Sequence, residues 1–270
     1  LLKIQADNGH IESGKVIIDG TDIVPLSEKE LRQVRWNQIS IVFQGAMNAW
    51  NPVIKVGEQI REALREHYPE NSKEENYNKM ASLFELVGLD KSILERYPHE
   101  LSGGMKQRAI IALALSCDPK VIIADEPTTA LDVVIQDQIL NELKKIQKEL
   151  GLSVLYISHD ISVIAEMTDN MAVMYAGRII EKGPTKEIFA NPRHSYTKLL
   201  LESTPSVVGD RKKLNALDGE PPSLMGEMKG CSFSPRCPNP TRDCKEGNIE
   251  MGLIEVSKGH SVDQCCVNCG

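Results

Sequence analysis

Three short apolar runs, separated by helical stretches, set the narrowest limit on what this chain can fold into. Residues 103–117, GGMKQRAIIALALSC, read as a helix that is almost wholly apolar beyond Arg108, so it is expected to be buried on most sides. Asp118-Pro119 stops it. KVIIADEP follows as a short apolar strand ending abruptly in two carboxylates, Asp125 and Glu126. Ile135, Ile139, Leu143, Ile146 and Leu150 then recur at helical spacing up to the stop at Gly151, and LSVLYISHD is the next strand. Strands joined through helices of this length imply right-handed βαβ units and a mostly parallel sheet, whose ligands sit beyond the C-terminal strand ends. Gln44, Asp125-Glu126 and His159 each follow directly on such a strand.

Upstream, GKVIIDG predicts a short strand closed by a turn at Asp19-Gly20, and Ser27 with Glu30 forms a capping-box pattern. LLKIQA at the start reads as the tail of a helix. QISIVFQ reads as a strand, and residues 56–98 as helical, with Leu83, Phe84, Leu86 and Val87 as a core stripe. MAVMYAGRIIEKG reads as a strand pair. Beyond about residue 205 periodicity fades, which predicts a small loop-rich unit held by its cysteines rather than by a core.

Composition narrows the chemistry. A net charge of -7 and 4% aromatic residues argue against a basic nucleic-acid surface or a stacking platform. No apolar run approaches the ~18 residues of a membrane-spanning helix, and no signal peptide opens the chain. Six of the seven cysteines, Cys231, Cys237, Cys244, Cys265, Cys266 and Cys269, crowd the C-terminal end. Without an export signal a metal or cluster site explains them better than disulfides.

LSGGMKQR, Leu101 to Arg108, opens a helix with a serine and two glycines, leaving free N–H groups and a positive dipole end that suit an anion. The plainer reading is a helix cap and a turn. At a strand end, Asp125 suits Mg²⁺, which takes oxygen ligands, and Glu126 suits activation of a water; the plainer reading is an N-capping pair. TTALD, with Asp132, and ISHD, with His159, follow in order.

In this order and spacing the set resembles the ATP-binding subunits of ABC transporters. Gln44 is similar to the Q-loop glutamine, LSGGMKQR to the signature motif, VIIADEP to the Walker B strand, TALD to the D-loop and His159 to the switch histidine. The resemblance implies a P-loop NTPase (RecA-like) α/β core with a mostly parallel sheet, a helical subdomain at about 56–118 and a small Cys-rich C-terminal extension. It implies a nucleotide-binding domain over 1–195 and an extension over 196–270. It further implies ATP and Mg²⁺, with Asp125 and Gln44 toward the metal and Glu126, His159 and Gln44 at the catalytic centre. Ser102, Gly103, Gly104, Gln107 and Asp132 would contact nucleotide, the signature residues acting in trans on a partner subunit's ATP.

One motif is a decoy. Gly9, Gly14 and Lys15 in GHIESGKV match G-x-x-x-x-G-K, with Val16 where Ser/Thr belongs. A phosphate-binding loop needs a strand before it and a helix after it, whereas Gly14-Lys15 leads into VIID. The family's Walker A loop is therefore expected upstream of Leu1, in a longer protein.

VFQGAMNAWNP and NPRHSYTKLLLESTP resemble the ATPase subunits of oligopeptide/dipeptide importers, which also serve nickel and some oligosaccharides; Ser195 stands where those carry proline. That branch implies a second ATPase subunit, commonly a paralogue, two membrane permeases and an extracytoplasmic substrate-binding protein. It implies a peripheral place on the cytoplasmic face of the membrane. It is also associated with a [4Fe–4S] cluster, which maps to Cys231, Cys237, Cys244 and Cys265. Reduced thiols or zinc remain the alternatives, and Cys266 and Cys269 are surplus. A signature-only subunit without its own ATP site is the rival function, and an ABC ATPase of DNA repair or translation a third.

Overall fold

The structure, a computed structural model, describes residues 2–3, 9–45, 48–203, 219–225, 230–248 and 251–267. It divides into two compact units, residues 1–159 and 160–270. Of the expected N-terminal helix tail only Leu2 and Lys3 lie within the described residues, and neither is helical.

In the first unit, β1 (Ile17–Ile18) and β2 (Thr21–Asp22) form an antiparallel hairpin. Asp19 at φ 50° and Gly20 at φ 79° make its turn, the pair of left-handed residues that Asp-Gly adopts most readily. Gly14-Lys15 thus precedes a hairpin and not a helix, as the sequence argument requires. α1 (Glu28–Val34) begins with the complete capping box of Ser27 and Glu30, and buries Leu31 and Val34. These two pack with Ile18, Ile23, Ile39 and Ile123 in one apolar cluster.

β3 (Ile39–Val42) is followed by α2 (Val56–His67) and α3 (Lys73–Leu86), the latter opened by a second capping box, Ser72 with Glu75. α4 (Gly103–Leu115) buries Ala109 through Ala112 together with Ala114 and Leu115, which accounts for its lack of a polar face. Arg108 on α4 donates to the Val87 carbonyl at 3.0 Å and pairs with Glu142, tying the helical block to α5 (Val133–Leu150). β4 (Val121–Asp125) lies between β3 and β5 (Ser153–Ile157), parallel to both. Val42 faces Ala124, and Asp125 faces Ile157. The three strands therefore finish level, so Gln44, Glu126 and His159 leave the sheet at the same edge.

The second unit starts with α6 (Ile161–Met167) and the antiparallel hairpin β6 (Asn170–Tyr175) and β7 (Arg178–Pro184). Two helices, α7 (Thr185–Ala190) and α8 (Ser195–Glu202), precede the cysteine region, in which α9 (Arg242–Glu246) is the one α-helix among the described residues. β8 (Leu253–Ser257) and β9 (His260–Asp263) complete a four-stranded sheet of order β6-β7-β9-β8. Here the structure departs from the expectation of a unit without a core. Phe233, 1% exposed, packs edge-on against Tyr175 and Tyr196 at 5.2 and 5.5 Å between centroids. Val173, Ile180, Val262 and four cysteines are buried in the same cluster. The apolar residues come from strands and a loop far apart in sequence, so no local period reveals them.

Candidate functional site

Two groups of polar side chains stand out, one in each unit. The first lies at the shared edge of the parallel sheet. Directly after β4, Glu126 takes φ 46°, a left-handed conformation that a residue with a Cβ avoids unless its surroundings impose it. Its N–H donates to the Ile157 carbonyl at 2.8 Å, which holds the turn against the end of β5. The carboxylate is thereby presented to three partners. Gln44 Nε2 donates to Oε2 at 3.0 Å, and Thr129 Oγ1 donates to the same oxygen at 2.8 Å. His159 Nδ1 stands 2.7 Å from Oε1. Hydrogen bonds from His159 first, then Thr129, draw the Glu126 carboxyl below its ordinary range. The Glu126 side chain is 19% exposed and that of His159 79% exposed, so the pair opens to solvent on the histidine side.

The remaining candidates of this site have identifiable local roles. Asp125 ends β4 beside Glu126. Ser102 caps α4, its hydroxyl accepting from the Met105 N–H at 3.3 Å, with Gly103 and Gly104 as the first helical residues. Asp132 caps α5 through the Ile135 N–H at 3.0 Å. Gln107 is 3% exposed, so its side chain is turned into the protein. Thr129 was not singled out by sequence; its position three residues beyond Glu126 in EPTTALD, within side-chain reach across a turn, was the available signal.

The second group gathers in the C-terminal unit. Cys231, Cys244, Cys265 and Cys266 are buried, Cys237 packs against them, and none is in a disulfide. A ring nitrogen of His194 and the Sγ atoms of Cys231 and Cys265 lie within 4.8 Å of one another, and the Cys265 and Cys266 sulfurs are 3.7 Å apart. Cys244 Sγ instead accepts from Thr241 Oγ1 at 3.0 Å. Sharing of the Cys265 proton with both neighbours raises that thiol and lowers those of Cys231 and Cys266, while His194 lowers the latter two further. Cys269 lies outside the described residues.

Gln44, Glu126 and Thr129 of the first group, and His194, Cys231, Cys237 and Cys244 of the second, sit in segments that match known families. The ABC transporter family profile matches residues 1–129, and that of "Oligopeptide/dipeptide transporter, C-terminal region" matches residues 180–244. The "Dipeptide transport ATP-binding protein DppD" of Bacillus subtilis (strain 168) is 46% identical over 255 residues, covering 94% of this chain and 75% of that protein. This chain belongs to the ABC transporter family, in its oligopeptide/dipeptide branch. "Oligopeptide transport ATP-binding protein OppD" of the same organism is also 46% identical, over 231 residues. That match covers 84% of this chain, which spans 64% of the OppD length. Among solved structures, the "Dimeric structure of a post-hydrolysis state of the ATP-binding cassette MJ0796 bound to ADP and Pi" aligns with a TM-score of 0.58 at 29% identity. The alignment covers 66% of this chain and 75% of that one. The first unit is thus built on the ABC ATPase fold. No helix among the described residues is long and apolar enough to cross a membrane.

Proposed function

We propose that this chain is the ATP-binding and ATP-hydrolysing subunit that energises a peptide-type ABC importer. The observation that carries the reading is the Glu126 carboxylate, held at the end of β4 by Gln44, Thr129 and His159. A carboxylate fixed by three groups from three separate segments is preorganised to take a proton from one direction.

In this mechanism Glu126 accepts a proton from the water that attacks the γ-phosphate. His159, on the solvent side of the carboxylate, orients that water and contacts the phosphate. Gln44 senses occupancy, because its amide is bonded to Glu126 until a water or metal replaces the contact. The oxygen donors of Asp125 and Gln44 suit a hard cation, and these residues would hold Mg²⁺. When bound, Mg²⁺ neutralises charge on the phosphates. The N-terminal end of α4, with Ser102, Gly103 and Gly104, faces the nucleotide of a second ATPase subunit.

Phe43, Val53 and Ile54, apolar yet 46%, 78% and 38% exposed, lie just before and after Gln44 in the chain, in the segment that would dock on the membrane permeases. The protein is accordingly peripheral, on the cytoplasmic face, and serves a system fed by an extracytoplasmic binding protein. In the second unit the buried, reduced thiols make a soft donor set that fits a [4Fe–4S] cluster. Cys231, Cys237, Cys244 and Cys265 would hold it, and the cluster would cross-link the region between β7 and β8 to the turn after β9.

The test is ATP hydrolysis by the full-length protein assembled with its partner ATPase, its permeases and binding protein in lipid vesicles. Hydrolysis stimulated by peptide-loaded binding protein supports the reading. Full activity that ignores both permeases and peptide overturns it.

A further inference from the structure

His194 is immobilised on every side except one. Its backbone N–H donates to Glu181 Oε2 at 3.0 Å, while the neighbouring Arg193 N–H donates to Oε1 at 2.7 Å. Glu181 is itself fixed by His260, whose Nε2 lies 2.8 Å from Oε1, and both side chains are fully buried. As the N-cap of α8, the His194 ring accepts the Tyr196 N–H at Nδ1, 3.0 Å away. Phe233 covers the ring at 5.8 Å between centroids. Nε2 is left buried with no hydrogen-bond partner, and a ring nitrogen lies within 4.8 Å of the sulfurs of Cys231 and Cys265.

The Nδ1 contact decides which way Nε2 acts. A nitrogen that accepts a backbone N–H carries no proton, so the proton of the neutral ring is on Nε2. A ring nitrogen that carries a proton donates; it has no lone pair for a metal. His194 stands among the thiols as a metal ligand would, but with the wrong tautomer for ligation.

We propose that His194 is the hydrogen-bond donor to the sulfurs of the C-terminal metal centre, its Nε2–H directed at Cys231 and Cys265, and not one of the metal's ligands. The proposal rests on the reading of the cysteine group as an iron–sulfur site. Within that reading it gives a role to the histidine of NPRHSYT. An N–H bonded to a ligand sulfur spreads negative charge that increases on reduction, so it favours the reduced state and raises the potential.

The experiment uses the full-length protein purified without oxygen from its native host. Iron and sulfide are assayed, the midpoint potential is measured by titration, and pulsed EPR is recorded on the reduced protein labelled with ¹⁵N-histidine. A weak nitrogen coupling together with a deuteron coupling after exchange into D₂O supports the donor role. A strong coupling, which marks direct ligation, overturns it, and so does the absence of any histidine coupling. H194N keeps an acceptor for the Tyr196 N–H but removes the donor, so its potential should move to more negative values; H194Q, with an amide N–H at the reach of Nε2, should return it toward wild type. An H194N protein with wild-type iron content and potential overturns the role of His194 while leaving the cluster in place. Wild-type protein free of iron and sulfide overturns the cluster, and the proposal with it.

Discussion

Gln44 donates to Glu126 across 3.0 Å although 82 positions separate them in the chain. Each is delivered by its own strand, and the strands are neighbours in parallel register. The contact joins the carboxylate to the start of the segment that carries the exposed Val53 and Ile54. In the proposed mechanism, loss of this hydrogen bond on nucleotide binding would be passed to the proposed permease contact.

Glu126→Gln keeps the size of the side chain and a partner for Thr129 but removes the base. In the full-length protein, turnover should fall by about 10²–10⁴-fold while ATP still drives dimerisation, as read by phosphate release and by light scattering. Steady-state hydrolysis near the wild-type rate would refute the role given to this carboxylate.

His159→Ala leaves Glu126 with Gln44 and Thr129 but without its partner on the exposed side. Because His159 and Glu126 are proposed to act on the same water, their effects should not add: the double variant with Glu126→Gln should be no slower than Glu126→Gln alone within about 2-fold. Fully multiplicative losses in single-turnover measurements would show two independent contributions.

Ser102 separates capping from catalysis. Aspartate is as good an N-cap as serine, so Ser102→Asp should unfold at wild-type denaturant concentration, whereas Ser102→Ala should lose about 1 kcal/mol. At the same time Ser102→Asp places a negative charge where the partner's γ-phosphate is proposed to sit and should abolish ATP-driven dimerisation. If it dimerises normally, α4 does not face the nucleotide.

The parallel sheet was legible because each of its elements is local: QISIVFQ, KVIIADEP and the spacing of Ile135 through Leu150 predict β3, β4 and α5 from a few residues each. The Ser27–Glu30 box and the Asp19-Gly20 turn were legible for the same reason. What joins Gln44, Glu126, Thr129 and His159 is the register of three strands, which no local pattern encodes; family motifs singled out three of the four. The C-terminal unit was the least legible. Phe233 is buried by Tyr175 and Tyr196, far away in sequence, and the surroundings of Cys231 depend on a histidine from another segment. Two non-local relations of that kind leave no period to read.

Glu181 accepts two backbone N–H groups and faces the ring of His260 in a site with no water access. Glu181→Ala leaves the His194 N–H and the His260 Nε2 buried without this partner, beside the His260 Nδ1 that already has none. Leaving a buried polar group unsatisfied costs about 1–3 kcal/mol. Chemical denaturation of the full-length protein should register a loss of that size in the C-terminal transition. A loss below about 1 kcal/mol would mean that this network contributes no more than a surface pair.

Gly230 offers a way to disturb the cysteine site without touching a thiol. It adopts φ 71°, and a Cβ there would press into the carbonyl oxygen of Cys244 and within 3.1 Å of the Gly247 backbone. That oxygen is already the acceptor of the Cys231 N–H at 3.0 Å, the bond that holds the loops of Cys231 and Cys244 together. In Gly230→Ala the left-handed backbone alone costs about 1–2 kcal/mol, and the collision is with rigid main chain, which has no rotamer by which to yield. The two loops must therefore separate. The expected result is full-length protein with an intact ATPase rate but reduced iron and sulfide content and a lowered melting temperature. Wild-type metal content in a folded Gly230→Ala protein would mean that the spacing of Cys231 and Cys244 is not what builds the site.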